Sequence, residues 1–353
     1  MTYRVIQWST GNVGIASLCC IIRHPDLELV GLWVHSPEKA GKDAGELCGL
    51  DPVGVAATND ADALLAVDAD CVCYTATADL RPQEAIADMA RILRSGKNVV
   101  SSSVVALVWP THIDASMRAP LEEACAAGGA SCFTSGIDPG WANDALPLLL
   151  TGTCQDVEHL RVMEIVNYRQ YEQPTVLFDT MGFGQALDAQ PLLLLPGVLS
   201  FAWGGVLKTL AAGLGVEIEE MREVHERRPA PEKIDLGFGV IEEGTTAALR
   251  FEVQGIVGGE PRIIVEHVTR LDDDLCPDWP QPVGEGGYRV MVTGTPSYQC
   301  DVQMTARPGQ GDPGVIGTAG RLVNAIPAVC AAAPGMLSAL DLPLIGGAGV
   351  MRP

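Results

Sequence analysis

The chain has 353 residues, enough for two domains, and 47% of them are hydrophobic, ample for buried cores. A formal net charge of −21 and a pI near 4.5 argue against nucleic acid and anionic membranes as partners, because such a surface repels both. The eleven cysteines form no C-x-x-C pair and no His/Cys cluster at zinc spacing, so they read as buried thiols of a reducing, cytoplasmic compartment, with no metal expected.

Residues 3–18, YRVIQWSTGNVGIASL, organise the rest. They predict a short buried strand at Val5 and Ile6, a turn at Ser9, Thr10 and Gly11, and a helix entered at Asn12 and Val13. Gly11 and Gly14 fall on the second and third glycines of a G-x-G-x-x-G dinucleotide fingerprint, and Ser9 stands at the first. A pyrophosphate reaches the helix N–H groups only where no Cβ intervenes, which is the reason for Gly11. The opening residues lead straight into a strand, with no signal-peptide pattern.

The second strand is expected at 27–34. In such a unit an acid ending that strand binds the ribose and selects NAD. Here the sequence continues His35, Ser36, Pro37, Glu38, Lys39. With no acid at the strand end, and Ser36 and Lys39 available for a 2′-phosphate, NADP is favoured over NAD. A short helix or loop at 43–50, a small strand at 54–57, a helix at 60–66 and a buried strand at 70–76 follow. That strand ends in Thr75 and Thr77, which would border the ligand crevice. A helix at 82–95, a strand at 98–102, a loop at 103–110, a helix at 111–127 and a strand at 130–134 continue the alternation. The rhythm predicts a doubly wound parallel sheet. A glycine-rich loop holding Asp138 and Trp141 breaks it, and Asn143 is placed to cap a helix at 144–150.

From 157 the character changes. Runs such as HLRVMEIVNY, AALRFEVQGIVG and RIIVEHVTRL are β-branched or alternating. They predict a mixed or antiparallel sheet, with a helical insertion at about 180–228. The apolar stretch 191–216 is long enough for a membrane span but is broken by Pro196, Lys208 and several glycines. It reads as core helix or as a helix over a substrate pocket. The last element is a helix at 315–333 carrying Asn324, with a kink near Pro327.

Four stretches, QWSTGNVG (7–14), GKNVVS (96–101), GIDPG (136–140) and NAIPAV (324–329), occur in this order over nearly the full length. Together they resemble the dihydrodipicolinate reductase-like oxidoreductases, in the branch holding 2,4-diaminopentanoate dehydrogenase and the amine dehydrogenases. The resemblance implies a Rossmann domain (1–144), an α+β substrate and dimerisation domain (145–314), a C-terminal helix returning to the first domain (315–353) and a homodimer. It also implies hydride transfer between NAD(P)H and a C=O or C=N carbon. The amine-dehydrogenating members carry a glutamate in the loop that here reads SVVALVWP (103–110), which has no ionisable group. A carboxylate there would deprotonate an amine or hold an iminium, and Val104 and Val105 can do neither. An apolar substrate pocket walled by Val104, Val105, Trp109 and Trp141 is therefore expected.

Hydride transfer to a carbonyl needs a proton donor within about 3 Å of the heteroatom. The candidates are His267, Tyr168, Glu164 and Asp138. His267 lies mid-strand, where a core or interface histidine bonded to backbone is the commoner reading. Glu164 and Tyr168 share a strand face, either at a site or towards solvent. Asp138 could brace its turn, and Asn324 could bond the nicotinamide carboxamide or cap its helix. The reading is an NAD(P)-dependent oxidoreductase acting on a small, largely apolar molecule. The alternatives are a non-catalytic NAD(P)-binding sensor or scaffold, and an amine dehydrogenase using a different acid such as Glu164.

Overall fold

The computed structural model describes residues 2–78 and 81–351, and the chain divides into two units: Met1–Trp141 with Pro308–Pro353, and Ala142–Arg307. The first unit runs β1 (Tyr3–Trp8), α1 (Asn12–Arg23), β2 (Leu27–Trp33), α2 (Ala44–Leu47), β3 (Ala57–Thr58), α3 (Ala61–Leu65), β4 (Cys71–Tyr74), α4 (Pro82–Arg94), β5 (Asn98–Ser101), α5 (Ala115–Gly128) and β6 (Ser131–Thr134). The second holds α6 (Ala145–Thr151), β7 (Asp156–Asn167), α7 (Val198–Leu214), β8 (Glu220–Pro229), β9 (Ile234–Asp235), β10 (Val240–Ile241), β11 (Thr246–Val257), β12 (Glu260–Arg270), β13 (Gly286–Thr295) and β14 (Tyr298–Gln303). The chain then returns to the first unit as α8 (Pro313–Ala331) and β15 (Gly335–Leu337).

The first unit's sheet has seven strands in the order β15-β6-β5-β4-β1-β2-β3, and every pairing is parallel. Its central strands, β1, β4, β5 and β6, are buried on both faces, as helix-covered parallel strands must be. Ile6 and Trp8 pack with Ile86, Met89 and Leu93 of α4 and Leu121 of α5. Val5 packs the other way, with Ile21 of α1 and Leu322, Val323, Ile326 and Val329 of α8. Each such aliphatic side chain contributes about 1.5–3 kcal/mol when fully buried.

The second unit's main sheet runs β14-β13-β7-β12-β11-β8, with β7 and β12 parallel and the other neighbours antiparallel. It is therefore mixed. α7 lays Leu199, Val206, Leu207 and Leu210 onto β11 and β12. The opposite face carries a charge lattice. Glu266, with no exposed surface, accepts from Arg250 Nε at 2.7 Å and from Arg161, and Arg161 also meets Glu252 at 2.7 Å.

Several expectations are corrected. The helical insertion ends at Leu214, and 220–229 forms the edge strand β8, most of whose side chains are charged. Asp144, not Asn143, is the N-cap of α6. The loop after β5 contains two 3₁₀ turns, Val105–Val108 and Pro110–His112. β15 adds a seventh strand that its three residues hardly announce. The apolar 191–216 stretch yields a helix of 17 residues packed on the sheet. Among the described residues only α8 is long and apolar enough to cross a membrane, and its buried side is sheet core.

Glu266 gives a test of the lattice. Removing one partner of a buried ion pair strands the other charge and costs roughly 3–5 kcal/mol. Glu266→Ala should lower the unfolding free energy by about 3 kcal/mol in urea titrations, because Arg161 and Arg250 both lose a ligand. A loss below about 1 kcal/mol would mean that the pair behaves as a solvated surface contact.

Candidate active site

β4 and β1 are neighbours where the strand order reverses, the place at whose carboxyl edge open sheets of this type bind ligands. Ser9 follows β1 with φ +82°, the left-handed region that glycine enters freely and serine does not. The fingerprint's first position thus keeps the glycine backbone under a serine side chain. Gly11 is the N-cap of α1, and a Cβ built on it meets nothing within 4 Å. The helix end is open above it, with first-turn N–H groups that suit phosphate oxygens. Gly14 has a different role: a Cβ there would lie 2.4 Å from Ser9 O and 2.9 Å from Thr75 Oγ1. The turn fits under α1 only because that atom is missing. Asn12 and Val13 form the first turn of the helix beside it.

The turn Pro37–Lys39 after β2 brings Lys39 back to the glycine turn, with Nζ 3.0 Å from Thr10 Oγ1 and 3.3 Å from Thr10 O. Ser36 begins that turn, and His35 is exposed, tilted against Trp33 at 6.1 Å. Thr75 is buried and donates to Trp8 O at 3.0 Å, while Thr77 is exposed on the loop after β4. Ser103 donates to Ala76 O, which ties the loop after β5 to the loop after β4. Val104 sits there at φ +50°, rare for a β-branched residue, and is buried with Ala106, Leu107 and Val108. Val105 is half-buried, as are Trp109 and Trp141. Ser9, Thr10, Gly11, Lys39, Thr75, Thr77, Val104 and Val105 thus share the carboxyl edge of one sheet.

Asn324 does not join them. α8 starts at that edge, where Thr318 Oγ1 accepts the Ile137 N–H at 3.1 Å, and descends until Cys330 reaches Asp70 O. Asn324, about 9 Å further along the helix than Thr318, lines a cavity with Tyr3, His24 and Asp26 at the amino edge. The expected bond to the nicotinamide is therefore withdrawn. Asp138 lies in the first unit, in a loop closed by a bridge between Ile137 and Gly140.

The other three proton-donor candidates come together in the second unit. Register sets Tyr288 of β13 and His267 of β12 opposite Glu164 of β7, and Phe251 of β11 opposite His267. The row faces α7, where Trp203 lies edge-on to His267 at 4.6 Å, and Phe251 stacks on the imidazole at 4.7 Å. Glu164 is 8% exposed. It accepts the Tyr168 hydroxyl at 3.0 Å and the Tyr288 hydroxyl at 2.9 Å, with His267 Nδ1 3.4 Å away. A solvent-facing Glu164–Tyr168 pair is thereby excluded. Such a carboxylate, held by two phenols beside an imidazole, can take up and return a proton. Tyr288, Trp203 and Phe251 were not singled out in the sequence, because only strand register brings them to Glu164 and His267.

Comparison with known proteins agrees with both units. The family described as 2,4-diaminopentanoate dehydrogenase C-terminal domain matches residues 141–349. The chain is 43% identical to an amine dehydrogenase of Streptomyces virginiae over 96% of each protein. It is 25% identical to the 2,4-diaminopentanoate dehydrogenase of Acetoanaerobium sticklandii, over 73% of this chain and 70% of that one. The solved structure of the amine dehydrogenase from Mycobacterium smegmatis shares the fold, with a TM-score of 0.76 at 20% identity over 98% of this chain and 97% of that one. The open helix end at Gly11 and the seat at Gly14 suit the dinucleotide that such enzymes use. The chain is an NAD(P)-dependent oxidoreductase and belongs to the family of 2,4-diaminopentanoate dehydrogenase and the amine dehydrogenases.

Proposed function

We propose that the chain is an NADP-preferring amine dehydrogenase, interconverting an apolar primary amine and its ketone, with Glu164 as the acid–base residue. The carrying observation is the buried Glu164 row, joined to full-length similarity to an amine dehydrogenase. In the deaminating direction an amine and water become a ketone and ammonia. A bound nicotinamide dinucleotide supplies the hydride acceptor. Glu164 removes the proton that the ammonium must shed before its lone pair can form the C=N bond, and then activates the water that adds to that carbon. Tyr168 and Tyr288 orient the carboxylate, and His267 relays the proton. The residues of the first unit's turn, Ser9 to Gly14 with Thr75 and Thr77, hold the dinucleotide, and Lys39 and Ser36 meet a 2′-phosphate. Val104, Val105, Trp109 and Trp141 provide apolar surface for the substrate.

A second reading, reduction of a ketone to an alcohol, draws on the loop 103–108, which lacks any ionisable side chain. Assays with and without ammonium separate the two. A sensor without turnover is not favoured beside 43% identity to an amine dehydrogenase. The eleven cysteines are thiols rather than disulfides, which fits a reducing cytoplasm, and burial pushes the Cys73 thiol up to about 12. A homodimer would scatter light at twice 37.2 kDa.

Three variants test this reading. Gly11→Val should cost no more than about 1 kcal/mol of unfolding free energy, the loss of a favoured N-cap residue, since its Cβ meets open space, yet abolish quenching of tryptophan fluorescence by NADPH. Lys39→Ala should weaken NADPH about tenfold, the loss of one charge-assisted contact, and leave NADH unchanged. Glu164→Gln should lower the turnover of reductive amination by roughly a hundredfold or more while still binding NADPH. Reductive amination that persisted in this last variant would remove Glu164 from the chemistry.

A further inference from the structure

Gln7 is a polar residue near the carboxyl end of β1, between Ile6 and Trp8, with no exposed surface. Its amide Nε2 donates to Thr75 Oγ1 at 2.8 Å, Ser9 O at 2.9 Å and Trp8 O at 3.3 Å. Its Oε1 is buried and has no partner among the described residues. An apolar side chain at this position would avoid that unmet acceptor, so the amide's value lies on its donor side.

Ser9 O, which the amide grips, is also the atom that a Cβ on Gly14 would strike. Its residue is the one held at φ +82°. Thr75 extends the grip by bonding Trp8 O at 3.0 Å from the neighbouring strand. Where the fingerprint has glycine, no such clamp is needed, because glycine takes this conformation without cost. We propose that Gln7 is a positioning residue for the dinucleotide: with Thr75 it holds Ser9 in the left-handed conformation and so keeps the helix end at Gly11 open to phosphate. The inference rests on the turn being the nucleotide site, which Gly11→Val tests separately.

The test uses the full chain and NADPH, read by fluorescence quenching and by thermal unfolding of the ligand-free protein. Gln7→Met keeps length and removes the donor. It should raise the Kd for NADPH about tenfold or more, with turnover at saturating NADPH near the parent's. Adding Ser9→Gly should bring the Kd to within about threefold of that of the Ser9→Gly single variant, because glycine no longer needs the clamp. If Gln7→Met does not fold, Thr75→Val, which keeps shape and loses the hydroxyl, should weaken NADPH by roughly threefold to tenfold and be rescued by the same Ser9→Gly. Parent-like binding in Gln7→Met, or a Gln7→Met/Ser9→Gly double variant more than about threefold weaker than Ser9→Gly alone, overturns the proposal. So does a Thr75→Val loss that Ser9→Gly leaves in place. Loss of NADPH in Gly11→Val beside parent-like Gln7→Met would overturn the clamp alone and leave the nucleotide site standing.

Discussion

The turn between β1 and α1 depends on a backbone carbonyl lying where any side chain on residue 14 would otherwise be. Ser9 O stands 2.4 Å from the place of that missing Cβ. Because the carbonyl can sit there, the chain reverses within a few residues, and α1 begins directly over the end of a buried central strand. Its first N–H groups then face the carboxyl edge at the strand-order switch. Gly11, by contrast, leaves space that protein does not fill. The two glycines divide the work: one lets the chain close on itself, and the other lets something else approach.

Much of the first unit was legible because its signals are local. Continuous apolar runs such as those around Val5 and Val72, punctuated by turns and by the helical spacing of Ile86, Met89 and Leu93, map directly onto buried parallel strands and amphipathic helices. The failures were elements whose form is decided by neighbours. β15 is three residues long and is a strand only because β6 offers an open edge. Asn324 was read toward the cofactor because α8 belongs to the nucleotide unit. Which edge it meets depends on how far the helix has descended from Thr318, and sequence does not encode that distance.

In the second unit strand propensity was readable and pairing was not. Glu164, His267 and Tyr288 were present in the sequence as separate candidates or as nothing at all. Their meeting follows from β7 pairing β12 in parallel and β13 antiparallel, in registers that put all three on one row. A slip of one residue would turn the row to the other face. The edge strand β8 carries no strand signal of its own, because its residues are mostly charged, Glu220 to Arg228, with few β-formers. Its strand state comes from a long antiparallel ladder to β11.

Alternation along these strands also sorts the unit's buried carboxylates by what they can do. Glu266 and Glu164 lie on opposite faces of the same sheet. Glu266 is held by two guanidiniums, from Arg161 and Arg250. A proton arriving there would break both ion pairs at once, so this carboxylate serves as a fixed charge that binds strands together. Glu164 is held by two phenol hydroxyls and faces an imidazole. Hydroxyl donors can rotate to accept instead, so a proton can arrive and leave without uncovering a buried cation. Partner chemistry, more than burial, is what separates a carboxylate that builds the sheet from one whose hydroxyl partners can adapt to a change of charge. Rigid strands on either side of Glu164 also hold it more firmly in place than a carboxylate carried on a loop.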